Sequence, residues 1–342
     1  MKFDFIIGNP PYQEEVENKG DRPNPIYNKF MDESYKMADC VELITPARFL
    51  FDAGQTPKDW NTRMLNDRNL KVLYYNSDPK GVFPNTEIKG GVVITIRNAT
   101  KDYGAIRIFT KYTELNDIMN TVFGIHKGDC LDSIISARGT YRVTDKFFND
   151  FPYAAERLGK GTGNMIASNF FERLPEVWTD STVKDDNCFG ILCRVENQRK
   201  YCYINKDYIK PNDFIHGWNV ASPKSNGNGI FGEVLTSTEI IPPNCGATDT
   251  FINIGSFETK DEAESLSKYI KTKFMRTMLG IKKVTQDNSR SMWSMIPLQD
   301  FTSKSDIDWS KSVAEIDRQL YKKYGLSKEE IKFIESHVKE ME

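Results

Sequence analysis

Asn9, Pro10, Pro11 and Tyr12 are the residues of this chain whose types and spacing best suit chemistry. Together they form a compact set of hydrogen-bond acceptors beside an aromatic plate, stiffened by two prolines. The exocyclic amino nitrogen of a nucleobase is a poor nucleophile, because its lone pair is delocalised into the ring. Two acceptors converging on its two hydrogens make that nitrogen more tetrahedral. The side-chain carbonyl of Asn9 and the backbone carbonyl of Pro10 can supply them. Proline fixes the backbone there and adds no competing donor. Tyr12 can lie against the face of an extruded base. The gain from such a site is positioning and electrostatics, with no covalent intermediate. Asn-Pro and Pro-Pro also punctuate ordinary turns. What separates this tetrapeptide from a turn is its place, directly after an apolar run and ahead of a loop and helix.

The elements that must position it can be read from periodicity. Phe3–Gly8 reads as a short buried strand ended by Gly and Pro. Residues 13–24 read as a loop, broken by Gly20 and Pro23. Helical spacing follows over 26–37, then a strand over 40–45 stopped by Pro46. A helix is predicted over 57–67, with Thr56 as N-cap and Pro57 at its first position. Strands are predicted over 70–76 and 91–97, and 106–110 is expected to pair with the latter. Strands alternating with helices imply an α/β layer sheet, here with an antiparallel ending. From about residue 151 the texture changes to short β-like runs (189–195, 201–204, 251–254) between polar turns. Long helices are predicted over 260–280, 312–324 and 327–340, and Ser327 with Glu330 has capping-box spacing. The expected division is 1–112, a connection over 113–150, and 151–342.

At 342 residues the chain is long enough for two cores. Hydrophobic residues at 39% and charged residues at 27% are those of an ordinary water-soluble protein, with 21 Phe and 15 Tyr making it rich in aromatics. No run of about 18 apolar residues exists, and Met-Lys-Phe-Asp-Phe is no signal peptide, so a cytoplasmic protein is expected. The six cysteines (Cys40, Cys130, Cys188, Cys193, Cys202 and Cys245) form no paired motif. Free thiols fit them better than a zinc site, and no metal is expected. A net charge of −2 does not advertise nucleic-acid binding. A local basic face would suffice for it, however. The strongest basic segment carries Lys268, Lys271, Lys273, Arg276, Lys282, Lys283 and Arg290, interleaved at its end with Gln286, Asn288 and Ser289. Gln and Asn suit adenine edges and Arg suits guanine. A solvated helix face is the plainer reading for any single one of them. Lys19 and Arg22, in the loop after Tyr12, could touch phosphate.

The run KFDFIIGNPPY resembles motif IV of the adenine-specific DNA methyltransferases. NPIYNKFMDESYKMADCVELITPARFL is similar to the helix and strand after that motif in TaqI-like enzymes of the gamma class, and GVFPNTEIKGGVVITIR to their later base-pocket segment. The resemblance covers roughly residues 1–110. The rest is similar in outline to the target-recognition region of large restriction–modification methylases. It implies an α/β fold: the second half of a Rossmann-like methyltransferase sheet, then an α+β target-recognition domain. By this resemblance Asn9 and Pro10 hold the adenine amino group, Tyr12 stacks, and Phe83 flanks the base. It also implies S-adenosyl-L-methionine as cofactor and double-stranded DNA as partner, with Lys282, Lys283, Gln286 and Arg290 as candidate DNA contacts.

One departure from that family is large. The glycine loop that holds the methyl donor should precede the motif, yet the motif begins at residue 9. Asn226-Gly227-Asn228-Gly229 and the run from Gly159 to Gly163 are the glycine-rich alternatives, and both read better as turns. A partner subunit or a further segment is therefore expected to supply the donor site. The expected function is adenine-N6 methylation of DNA within a restriction–modification system. The alternative is a non-catalytic sequence-recognition subunit of such a system.

Overall fold

The computed structural model describes residues 3–14, 23–51, 55–77, 83, 88, 91–159, 161, 163–180, 187–196, 198–283 and 285–341. Two compact units divide at Asn116. The chain is a mixed α/β protein with several sheets.

The first unit is built on a four-stranded sheet in the order β1-β2-β4-β3, with β1 Phe3–Gly8, β2 Ala38–Pro46, β3 Leu70–Asn76 and β4 Val92–Asn98. β1 runs parallel to β2, and the other two pairings are antiparallel. Helices α1 (Tyr27–Met37) and α2 (Lys58–Asn66) lie in the two connections. Their apolar sides supply Tyr27, Met31, Trp60 and Met64 to one core with Val41, Leu43, Leu70 and Val93 of the strands. Phe49 packs there edge-on to Trp60, with ring centres 5.3 Å apart.

Three local expectations are corrected. Thr56 does not cap α2: its hydroxyl donates to the Asn61 side chain at 2.7 Å, and Pro57 holds the cap position. Residues 106–110 form no strand. Arg107 takes a positive φ of 59°, which turns the chain, and its amide goes to the Leu65 carbonyl. Third, β1 is not buried. Phe3, Phe5 and Ile7 are 43%, 48% and 72% exposed, and only Ile6 turns toward the core. The cause is topological. β1 is an edge strand, and period-two alternation sends its odd-numbered side chains to the face opposite α1 and α2.

Helix α3 (Thr113–Ile125) contains the boundary. The second unit holds two three-stranded sheets. One has the order β6-β5-β9, from β5 Cys188–Val195, β6 Gln198–Asn205 and β9 Cys245–Ala247. The other is β10-β7-β8, from β7 Trp218–Pro223, β8 Glu239–Ile241 and β10 Phe251–Phe257. Short helices α4 (Asp145–Asp150), α5 (Ala154–Leu158) and α6 (Phe170–Arg173) bring Phe147, Phe170 and Phe171 under β5 and β6. Tyr141 and Val143 join the same core, so part of the expected connection belongs to this unit. Cys193 and Cys202 sit buried on neighbouring strands, with their sulfurs in contact.

The helix expected over 260–280 is two helices, α7 (Lys260–Lys271) and α8 (Lys273–Gly280). Thr272 breaks them with an extended backbone, and its hydroxyl then caps α8 by accepting from Met275 N–H. The Asp317 carboxylate accepts from the Lys273 and Phe274 amides at 2.9 and 2.8 Å, and so closes the same helix end. Helices α9 (Val313–Lys323) and α10 (Lys328–His337) follow. Ser327 and Glu330 form the expected capping box. No helix of the described residues is long and apolar enough to cross a membrane.

Candidate active site

The ladder of β1 against β2 runs to Gly8, which faces Leu43. It stops there because Pro10 and Pro11 offer no N–H. The chain then turns back beside the entry to α1. The Tyr12 carbonyl accepts from Ile26 N–H at 3.2 Å, and Glu14 N–H reaches the Asn24 carbonyl at 2.9 Å. Lys29 of α1 pairs with Glu14 at 3.1 Å, but both are solvent-exposed enough that the pair adds little. The tetrapeptide is thus clamped at both ends by backbone pairing.

Asn9 is exposed, and its side chain has no hydrogen-bond partner among the described residues. Pro10 is half-buried and Pro11 exposed. The acceptors of Asn9 are therefore open to an incoming group. Tyr12 is half-buried and meets Phe83 edge-on, with ring centres 6.4 Å apart and planes at 79°. Residues 71 positions apart in sequence are so brought together as two aromatic walls. The Tyr12 hydroxyl is buried and has no hydrogen-bond partner. Burial pushes its pKa up to about 12, so the phenol stays protonated. A shielded hydroxyl without a partner is unfavourable, which marks this as a place that a polar partner would complete. Lys19 and Arg22 lie outside the described residues.

The basic segment is mostly consumed by the fold. Lys283 is 5% exposed, donates to Glu233 at 3.0 Å and also holds the Thr285 carbonyl. Arg276 is buried and donates to the carbonyls of Glu233 and Lys339. Lys268 holds the Trp309 carbonyl, Lys273 pairs with Glu335, and Asn288 is fully buried. Lys283 is thereby corrected as a nucleic-acid contact: its ammonium cannot reach a phosphate without breaking a buried pair. Lys282 donates to the Ser294 hydroxyl at 2.7 Å and is half-buried. Gln286 and Arg290 are exposed, although Arg290 Nε also holds the Asp132 carbonyl at 2.7 Å.

The glycine-rich run Asn226–Gly229 has a specific occupant. The amides of Asn228 and Gly229 donate to the two Glu233 carboxylate oxygens at 2.6 and 2.9 Å. An added Cβ on Gly227 would fall 2.2 Å from Glu233. This loop is a nest for the protein's own carboxylate, not for a cofactor. Gly159 to Gly163 includes residues outside those described. The open face of β1 escaped the sequence reading. Its signal was the alternation of Phe3, Phe5 and Ile7 with Asp4 and Ile6.

Residues 1–83 match the family model of the Eco57I restriction-modification methylase, a span that runs through Asn9 and ends at Phe83. A 96-residue stretch, 27% of the chain, is 33% identical to an "uncharacterized adenine-specific methylase" of Mycoplasma pneumoniae. The chain spans only 22% of that relative's length. Among solved structures, the type IIG restriction endonuclease BpuSI aligns over 98% of this chain and 53% of its own, at 9% identity and a TM-score of 0.34. The type IIL restriction-modification enzyme MmeI, in complex with DNA, aligns over 98% and 56%, at 10% identity and a TM-score of 0.33. TM-scores this low do not establish a shared fold. The sequence matches support a restriction–modification methylase reading of the N-terminal segment.

Proposed function

We propose that this chain carries the base-gripping half of an adenine-N6 DNA methyltransferase of a restriction–modification system, together with its target-recognition region. One observation carries this: Asn9 stands exposed at the end of β1, three residues before Tyr12, whose ring meets Phe83 edge-on and whose buried hydroxyl has no hydrogen-bond partner. In the proposed site the Asn9 side-chain oxygen and the Pro10 carbonyl accept the two hydrogens of the adenine amino group. That localises the nitrogen lone pair toward an incoming methyl group. Tyr12 and Phe83 flank the extruded base, and excluding water strengthens both hydrogen bonds. The proline-locked backbone means little reorganisation is needed when charge develops.

S-adenosylmethionine is the methyl donor this reading implies. In this reading a companion polypeptide or a further segment holds it. The state of β1 supports that assignment. Among the described residues it pairs with β2 alone and carries three exposed apolar side chains, which proteins usually cover. The parallel β1–β2 pair followed by antiparallel β4 and β3 suits the second half of a Rossmann-like methyltransferase sheet.

The test is methyl transfer. The chain, tagged and recovered from its native cell with whatever co-purifies, is incubated with duplex DNA and labelled S-adenosylmethionine, and the DNA is digested to nucleosides. Labelled N6-methyladenine is the expected product. Label on cytosine overturns the choice of base. DNA binding with no transfer selects the alternative, a recognition subunit that modifies nothing.

A further inference from the structure

The second unit lays five loop segments side by side, joined rung by rung through backbone hydrogen bonds. Residues 137–142 pair with 164–168 through Ile166 N–H to the Tyr141 carbonyl at 3.1 Å. Segment 164–168 receives Asp249 N–H on the Ile166 carbonyl at 3.3 Å. Segment 248–250 then receives Lys224 N–H on the Thr250 carbonyl at 2.8 Å. Finally Lys224 accepts from Asn288 N–H at 2.9 Å, and Ser225 bridges to Asp287.

Apart from Ala137, the exposed side chains along this row are polar, and cations outnumber anions. Arg138, Arg142 and Arg290 are exposed and Lys224 is half-buried. Arg138 and Lys224 have no side-chain partner among the described residues, while Arg142 holds only the Asn164 side-chain oxygen at 2.9 Å. The two carboxylates of the row are already engaged: Asp249 accepts from Ser168 N–H at 3.0 Å and Asp287 from the Ser289 hydroxyl at 2.7 Å. In a chain whose net charge is −2, this is a local excess of positive charge on a polar ledge. It contrasts with Lys268, Lys273 and Arg276 of α7 and α8, which are tied to internal carbonyls or to Glu335.

We infer that the DNA duplex lies along this loop row, with Arg138, Arg142 and Lys224 on its phosphates and the exposed Gln286 and Arg290 at one end. This rests on the proposed DNA-methyltransferase reading; it keeps Gln286 and Arg290 of the sequence expectation and adds the loop cations in place of Lys282 and Lys283. Phosphate contacts of this kind fix register and make binding depend on salt, whereas the amide and guanidinium groups are those that read base edges.

The test uses the full chain and a fluorescent 30-base-pair mixed-sequence duplex, titrated by anisotropy at several salt concentrations. Arg138→Ala/Arg142→Ala/Lys224→Ala is expected to weaken binding at least tenfold at low salt. It should also flatten the log–log salt slope by about 2–3, close to one per lost phosphate contact. Because Arg142 also holds a neighbouring loop, Ser225→Asp serves as a second variant, placing a charge on the ledge at an exposed position. It should weaken binding without altering the thermal transition. Lys322→Ala/Lys328→Ala/Lys332→Ala, exposed on α9 and α10, should bind as wild type. If wild type binds and neither loop variant loses affinity, or the α9–α10 variant loses as much, the surface is misplaced. If wild type itself does not bind the duplex at any salt concentration, the underlying reading fails with it.

Discussion

Lys283 and Glu233 form a salt bridge at 3.0 Å with side chains only 4% and 14% exposed. Burial alone would raise the Glu233 carboxyl. The Asn228 amide, the Lys283 ammonium and the Gly229 amide outweigh it and leave the group below the usual carboxylate range. The pair therefore holds the glycine loop of residues 226–229 shut on the protein's own acid. Lys283→Met leaves a buried carboxylate without its counter-ion and is expected to destabilise the chain by about 3 kcal/mol. Chemical denaturation measures this. A loss of DNA affinity with unchanged stability would instead return Lys283 to the nucleic-acid surface.

Asn9→Ala, in the complete methylating assembly, removes one of two acceptors while leaving the proline-locked backbone in place. Methylation is expected to fall at least 100-fold, the scale of losing one preorganised polar contact to a reacting group. DNA affinity should stay within about twofold, since one acceptor carries no phosphate contact. Single-turnover rates and anisotropy read the two separately. Full activity would remove Asn9 from the chemistry.

Tyr12→Phe deletes a hydroxyl that has no partner in the free chain. Because no hydrogen bond is lost, stability should rise or stay level, by about 0–1 kcal/mol. Tyr12→Ala instead removes the wall facing Phe83 and should slow methylation. Thermal melts of both variants beside wild type decide this; a clear loss in Tyr12→Phe would mean the phenol is already bonded.

Burial raises the Asp317 carboxyl to about 6 against an ordinary 3.8, despite the Phe274 and Lys273 amides that hold it. The sign follows from proton binding. Between those values the folded chain keeps a proton that the unfolded chain releases, so stability from this group is greatest below pH 4 and is lost as pH rises through 6. The loss is at most about 3 kcal/mol. Asp317→Asn should flatten the stability–pH curve across that window. An unchanged slope in denaturation profiles from pH 4 to 7 would show that Asp317 does not titrate there.

Ile7→Lys places a charge on the open face of β1, where Ile7 is 72% exposed. The isolated chain should aggregate less and bind less of a hydrophobic dye. The same variant should lose its co-purifying companion in pull-down. If companion recovery is unaffected, β1 is not where that polypeptide docks.

Calorimetry of the isolated chain with S-adenosylmethionine should show no saturable heat at micromolar concentrations. Micromolar binding would place a donor site within this chain.

The strand Phe3–Gly8 and its stop at Asn9-Pro10-Pro11-Tyr12 were legible because an apolar run, a glycine and two prolines act over a few residues. So were the capping box at Ser327 and Glu330 and the alternation of strands and helices in the first unit. Distant neighbours decided the rest. Whether Phe3–Gly8 is buried depends on which strands flank it, and among the described residues only β2 does. Whether Phe83 touches Tyr12 depends on how the sheet returns the chain. Whether a lysine binds phosphate or a buried carboxylate depends on what folds over it, and Glu233 covers Lys283 from 50 residues away. Residue type states what a side chain can bond to; only tertiary packing states what remains within reach, because burial and pairing are settled by contacts remote in sequence.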